Sequence, residues 1–289
     1  MKIFSFAQDK SFFINRVLNG MSQIMLQENR LTGILFLSGI FYGSIFMGIG
    51  AILGVITSTT LAQVLKFDKD ETDKGMYGFS PALVGVAMLV FLKPAVWTWA
   101  LVAIGSVVSA LIQNLFIKIK LPVFTLPFVL VTWGILFFAK MYLPELFVET
   151  PLTIVNDSHY FTFPLRGYGQ VIFQENTMSG ILFFLGVFIN SPVSALYGLA
   201  GAVLTGTLAV VFLLPTSDIA LGLFSYNAVL CAIAFSGTKK IDGVLAFTSI
   251  FISFIVGFFM FQYNLTRLTF PFVAGTWGGL ILKQSLKKK

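Results

Sequence analysis

One cysteine, one histidine and 11% charged residues are all that 289 positions hold of the usual reactive groups. Each scarcity excludes something. A lone Cys231 cannot close a disulfide within the chain and leaves the redox compartment unread. His159 is the single imidazole, and no HExxH, G-x-S-x-G or Walker-type run is present. The side-chain clusters that hydrolysis, metal catalysis or phosphate binding need are therefore missing, so no enzymatic activity, no metal and no cofactor is expected. Ion or proton coupling normally requires ionisable groups at membrane depth. Only Glu28 and Glu175 come near to qualifying, and each, with the Asn that follows it, reads more simply as a turn or helix cap.

What is abundant is apolar. Hydrophobic residues make up 57% of the chain and phenylalanine alone occurs 33 times, more than a soluble core could hide, so lipid must be the solvent. The net charge of +7 is spread over short loops and ends, including Lys287, Lys288 and Lys289. The positive-inside rule explains that pattern and places the C-terminus in the cytoplasm; no nucleic-acid partner is expected. Residues such as Asn15, Arg16, Asn19 and Gln23 interrupt the first apolar segment, so it lacks the clean core of a cleavable signal.

Apolar runs fall near residues 31–65, 76–92, 95–117, 121–139, 178–214, 219–238, 243–262 and 268–282. A helix needs about 20 residues to cross hydrocarbon, so 31–65 should hold two spans, split near Gly48 and Gly50, and 178–214 two more, split near Asn190 and Pro192.

The chain also repeats itself. SQIMLQENRLTGILF at 22–36 returns as GQVIFQENTMSGILF at 169–183, an offset of 147 residues. YGFSPALVGVA at 77–87 aligns with FSYNAVLCAIA at 224–234 at the same offset, and LPVFTLPFVLVTW at 121–133 with LTRLTFPFVAGTW at 265–277 at 144. Three matched landmarks in one order define a duplicated membrane domain, residues 1–142 and 158–289, joined by a polar connector at 143–157. An odd number of crossings per half would insert the halves with opposite orientation. The expected fold is an all-α integral membrane protein of two homologous inverted halves, each with about five membrane helices plus one re-entrant helix, around a central pore.

The re-entrant helix is placed at the end of each half. Thr125 with Pro127, and Thr269 with Pro271, look like helix starts. The apolar stretch that follows is stopped by Lys140 or Lys283, and from Thr125 to Ala139 it rises only about 22 Å. Such a helix begins inside the membrane, where irregular backbone survives only beside protein or a water-filled path. Each half opens with a segment too polar for lipid contact: Asn15, Arg16, Asn19, Gln23 and Gln27 in the first, Arg166, Gln170 and Gln174 in the second. These must hide inside the protein.

The polar and aromatic residues repeated at depth are Gln23 and Gln170, Thr125 and Thr269, and Phe79 and Tyr226, with Leu83 and Leu230 one helical turn beyond. They suit a flat, neutral, hydrogen-bonding solute. Stripping water from an amide-like group without replacement costs roughly 2 to 7 kcal/mol, and Gln and Thr offer both donors and acceptors. Helix packing remains the simpler role for any single aromatic or leucine.

At these residues the chain resembles the urea transporter family. The resemblance is carried by LRGYGQVIF at 165–173 and LNGMSQIML at 18–26, by Asn-x-x-[ST]-Gly beginning at Asn29 and Asn176, and by LPVFTLPF at 121–128. It implies a homotrimer in the membrane, a separate channel in each protomer between inverted halves, and passive urea flux through a narrow filter. By position it implies that Gln23 and Gln170 stand at the filter ends and Thr125 and Thr269 supply its hydrogen bonds. Phe79, Tyr226 and Phe173 would be aromatic clamps, with Leu83 and Leu230 the central constriction. Leu26 stands where relatives have the counterpart of Phe173, Gln170 replaces an acid, and Asn19 sits opposite Arg166. The expected function is a urea channel in a bacterial inner membrane, with urea and membrane lipid as partners. A channel for water, ammonia or short amides, and an ion-coupled transporter using Glu28 or Glu175, remain as alternatives.

Overall fold

The computed structural model describes the backbone of residues 2–149 and 159–287. Connector residues 150–158, the His159 side chain, Lys288 and Lys289 lie outside the described residues. The chain divides into two compact units, Met1–Glu149 and Thr150–Lys289. Among the described residues the backbone is helical, with one isolated bridge between Leu92 and Phe147.

The first unit runs α1 (Lys2–Ser22), α2 (Arg30–Gly43), α3 (Ile45–Val64), α4 (Lys69–Asp73), α5 (Phe79–Phe91), α6 (Val96–Lys118) and α7 (Leu126–Tyr142). The second repeats that order in α8 (His159–Gln170), α9 (Thr177–Asn190), α10 (Pro192–Val211), α11 (Thr216–Ala220), α12 (Tyr226–Ala234), α13 (Lys240–Gln262) and α14 (Phe270–Lys287). Among the described residues four helices, α3, α6, α10 and α13, are long and apolar enough to cross a membrane, at 20, 23, 20 and 23 residues. The protein is a helical, multi-pass membrane protein. Within α3 and α10 the buried stripe is made mainly of small residues, such as Gly54 and Ser58 on α3 and Gly201 and Thr205 on α10. Small residues let helix backbones approach where lipid offers no hydrophobic drive for association.

The break in the first long apolar run falls at Ser44, which caps Met47 N–H, and not at Gly48 and Gly50. Those glycines lie inside α3, where Gly50 faces the backbone of Gly85 on α5 with no room for a side chain. The second run breaks at Ser191, between Asn190 and Pro192 as expected, and Ser191 caps Ser194 N–H. Lys140 and Lys283 do not stop the final helices, which continue to Tyr142 and Lys287. The most curtailed apolar helices are α5 and α12, of 13 and 9 residues. At about 1.5 Å per residue they rise about 20 and 14 Å, short of the roughly 30 Å hydrocarbon core. The remainder of each apolar run is spent on a turn ahead of the helix. That turn bends at Gly75 (φ 80°) and Gly222 (φ 77°), which press on the backbones of α1 and α8 at Gly20 and Gly167. Positive φ and backbone contact together leave room only for glycine.

The connector begins as one short turn, Pro144–Leu146, with Leu146 buried. Lys93 N–H donates to Leu146 O at 2.7 Å and Val148 N–H to Phe91 O at 3.0 Å, which fastens this stretch to the end of α5.

Candidate functional site

Every left-handed residue in one half has a counterpart in the other at the repeat spacing. The pairs are Leu26 (φ 59°) with Phe173 (58°), Lys66 (52°) with Leu213 (55°), Gly75 with Gly222, Lys120 (57°) with Asn264 (52°), and Phe124 (50°) with Leu268 (44°). A non-glycine residue pays about 1–2 kcal/mol for this conformation. One of the pairs consists of residues singled out from the sequence, and another abuts two of them. Leu26 and Phe173 end the turn after α1 and α8, and Phe124 and Leu268 directly precede Thr125 and Thr269.

The turn after each opening helix is built by one side chain. Gln27 Nε2 donates to Met25 O at 2.7 Å, and Gln174 Nε2 to Ile172 O at 3.0 Å. Each glutamine thus folds back on its own turn while both stay buried. Gln23 and Gln170, one turn earlier, are spared that task. Gln23 Nε2 donates to Lys74 O at 3.1 Å, whereas Gln170 Nε2 is buried with no hydrogen-bond partner. A buried amide donor left unmet costs about 1–3 kcal/mol, so Gln170 offers a donor without an acceptor. Arg166, buried one turn before it, gives Nε to Thr177 Oγ1 at 3.2 Å.

Asn29 and Asn176 then start the next helices. Asn29 Oδ1 accepts from Leu31 N and Thr32 N, and Asn176 Oδ1 accepts from Ser179 N. Gly33 and Gly180 follow because α2 and α9 begin against the carbonyls of Leu18 and Leu165. The capping is done by the asparagines; Glu28 and Glu175 point outward and are exposed.

Phe79 and Tyr226 begin α5 and α12, and both are buried, with Leu83 and Leu230 fully so one turn on. In the first half the Gln23–Met25 turn packs on α5 and α5 on α7; in the second, α8 packs on α12 and α12 on α14. In the first half the turn therefore lies against α5, and in each half the short helix lies between the opening segment and the final helix. The second half shows how the starts are held. Tyr226 Oη donates to Leu268 O at 2.5 Å, Asn227 Nδ2 donates to the same carbonyl at 3.3 Å, and Asn227 Oδ1 accepts from Phe272 N at 3.1 Å. Asn227 escaped the sequence reading, although a polar residue recurs at its position in the first half as Ser80.

Thr125 and Thr269 are 2% and 1% exposed. Thr125 sits at the head of α7 with Pro127 in the first turn, as expected, but its side chain makes no capping hydrogen bond. The proline already lacks the N–H that a cap would serve. No cluster of three or more metal-ligating side chains occurs among the described residues.

Known proteins resemble this chain over most of its length. Urea transporter 1 of rat (Rattus norvegicus) is 28% identical over 246 residues, covering 78% of this chain and 63% of the rat protein. Urea transporter 1 of goat (Capra hircus) is 28% identical over 243 residues with the same shares, and that of mouse (Mus musculus) 27% over 246 residues. The alignable part thus spans under two thirds of these relatives. The sequence profile described as "UT: Urea transporter" matches residues 14–284. With that match over nearly its whole length, the chain belongs to the urea transporter family.

Proposed function

We propose that the protein passes urea passively along a narrow path, and that the turn and the two helix starts repeated in each half are the elements that handle the solute. The carrying observation is the strained residue next to a buried threonine at the head of a helix, found twice: Phe124 before Thr125 and Leu268 before Thr269. Strain of this kind persists only where the surroundings fix it, and it gathers at functional sites. In this reading Gln23, Gln170, Thr125 and Thr269 exchange hydrogen bonds with the solute. Leu26, Phe79, Leu83, Phe173, Tyr226 and Leu230 form the apolar and aromatic walls. A flat neutral molecule finds replacements for its lost hydration there, and an ion does not. The exposure of Glu28 and Glu175 speaks against either as a coupling group. Assembly as a homotrimer is part of the proposal on family resemblance.

Proteoliposomes containing the full chain test it by stopped-flow light scattering under inward gradients of urea, acetamide and glycerol. Urea should equilibrate fastest, at a rate unchanged when ion gradients are dissipated. Equal rates for all three solutes would replace the urea channel with a general small-solute pore, and collapse with the ion gradient would replace it with a coupled transporter.

A further inference from the structure

Behind the start of α14, residues of α10, α12 and α13 together with Arg267 line a partly open cavity of about 20 Å³. Its polar lining is Thr205, Asn227, Ser253 and Arg267, with Phe224 and Pro271 among the apolar walls. About 10–15 Å³ on this measure admits one water-sized particle, so one small occupant fits. Asn227 has committed both ends of its amide to Leu268 and Phe272, and Thr205 Oγ1 donates to Gly201 O at 3.0 Å. The donors left in the lining are chiefly those of Arg267. Its guanidinium carbon lies 4.8 Å from the Phe224 ring centre and 5.4 Å from that of Phe261. Cation–π contact engages the flat face of a guanidinium, while its five N–H groups lie in the plane. Arg267 takes part in none of the ion pairs among the described residues.

The repeat supplies a control. At the corresponding positions the first half has Val123 for Arg267, Gln113 for Gly257, Ser109 for Ser253 and Ser80 for Asn227. Gln113 is buried. The copy without the arginine therefore carries a long side chain where the copy with it has a glycine. Cation and space go together.

We propose that this cavity binds one small monovalent anion of chloride size, held by the N–H groups of Arg267. A charged occupant is favoured over water because the half-buried Arg267 has no counter-charge among the described residues, and near a protein surface a close ion pair is worth several times its value in bulk water. The site lies beside the proposed urea path, because Asn227 and Pro271 belong to the helix starts assigned to that path, while Thr205, Ser253 and Arg267 take no part in it. Its test needs no urea flux, so either reading can fail alone.

The full chain crystallised from a bromide medium should show an anomalous peak within hydrogen-bond reach of the Arg267 guanidinium. The purified chain should also show a saturable upward shift in Tm in sodium chloride relative to sodium gluconate. Gly257→Gln and Arg267→Val each copy the first half, and each should abolish both signals. A Cβ at Gly257 meets only the Pro271 side chain, at 3.7 Å, so the glutamine can be accommodated. Absence of the peak in the unaltered chain overturns the proposal. So does a peak, or a chloride-dependent shift, that survives Gly257→Gln, because the ion would then rest on an exposed guanidinium and not in the cavity. Should one variant fail to fold, the peak in the unaltered chain and the other variant decide.

Discussion

The two halves reach the same backbone by different side chains. In the first, Arg16 and Lys69 both bind Asp73 at 2.6 Å, and Asn19 Nδ2 donates to Asp73 O, clasping α4 to α1 with charge. In the second, Phe163 and Ala220 stand where Arg16 and Asp73 do, and Phe163 lies against Gly206. At the helix starts the difference runs the other way. The second half ties α12 to α14 through Tyr226 and Asn227, whereas the first has Phe79, which carries no hydroxyl, and Ser80, whose buried Oγ has no partner. Where α6 meets α7, Gly105 receives Val131 and Ile135; at the matching contact Gly275 on α14 receives Ser249 and Ser253 of α13, the small residue having changed helix. What the halves share are the five pairs of left-handed residues and the caps that follow them. The invariant part of the repeat is thus its irregular backbone, and the side chains that support it have drifted.

That contrast can be broken, most sharply at α12. Asn227→Leu takes the side-chain acceptor from the Phe272 N–H, at about 1–3 kcal/mol for a buried donor left unmet, and removes one of the two donors to Leu268 O, which keeps Tyr226 Oη. Ser80→Ala removes a hydroxyl that bonds to nothing and should change stability little. Thermal unfolding in detergent compares them, and equal losses would mean that the two starts are held alike. Asn29→Ala and Asn176→Ala should each cost about 1 kcal/mol, the usual value of an N-cap. A large difference between them would show that the shared caps do not carry equal loads.

The smallest effect belongs to the charged clasp. Burial raises the Asp73 pKa, but hydrogen bonds from Lys69 and Arg16, with their charges, outweigh it and leave the carboxyl below its ordinary 3.8. A depressed pKa gives stability that is present above the unfolded value and lost as pH falls through the folded one. Asp73→Asn should therefore cost about 1 kcal/mol or less at neutral pH, and the gap between variant and parent should close below about pH 4. A gap that widens in acid would reverse the sign assigned to this group.

Much of this was legible in the sequence, and the errors have physical causes. The break at Ser191 could be read from Asn190 and Pro192, and carrying it back by the repeat offset lands on Ser44. Gly48 and Gly50 misled because glycine inside a membrane helix marks close packing as readily as a break. The shortness of α5 and α12 was hidden because a turn lodged among apolar helices is apolar itself, so hydropathy cannot separate turn from helix. Gln27 and Gln174 were visible as buried polar residues, but that they close their own turn depends on backbone geometry. Leu26, Phe124, Phe173 and Leu268 gave no sign of left-handed backbone, since leucine and phenylalanine rarely adopt it. Asn227 gave no sign because a lone amide in an apolar run does not reveal that it ties Leu268 O and Phe272 N–H, some forty residues further along the chain.

The central claim is that Thr125 and Thr269, at the heads of α7 and α14, replace urea's lost water. Stopped-flow urea permeability of proteoliposomes carrying Thr125→Val or Thr269→Val tests it most directly, because valine keeps the volume while removing one donor and one acceptor. Each change should lower urea flux by about tenfold, the equivalent of one hydrogen bond of ~1.4 kcal/mol, with folded protein recovered in equal yield. Unchanged permeability in both variants would contradict the account and return the threonines to a purely structural role.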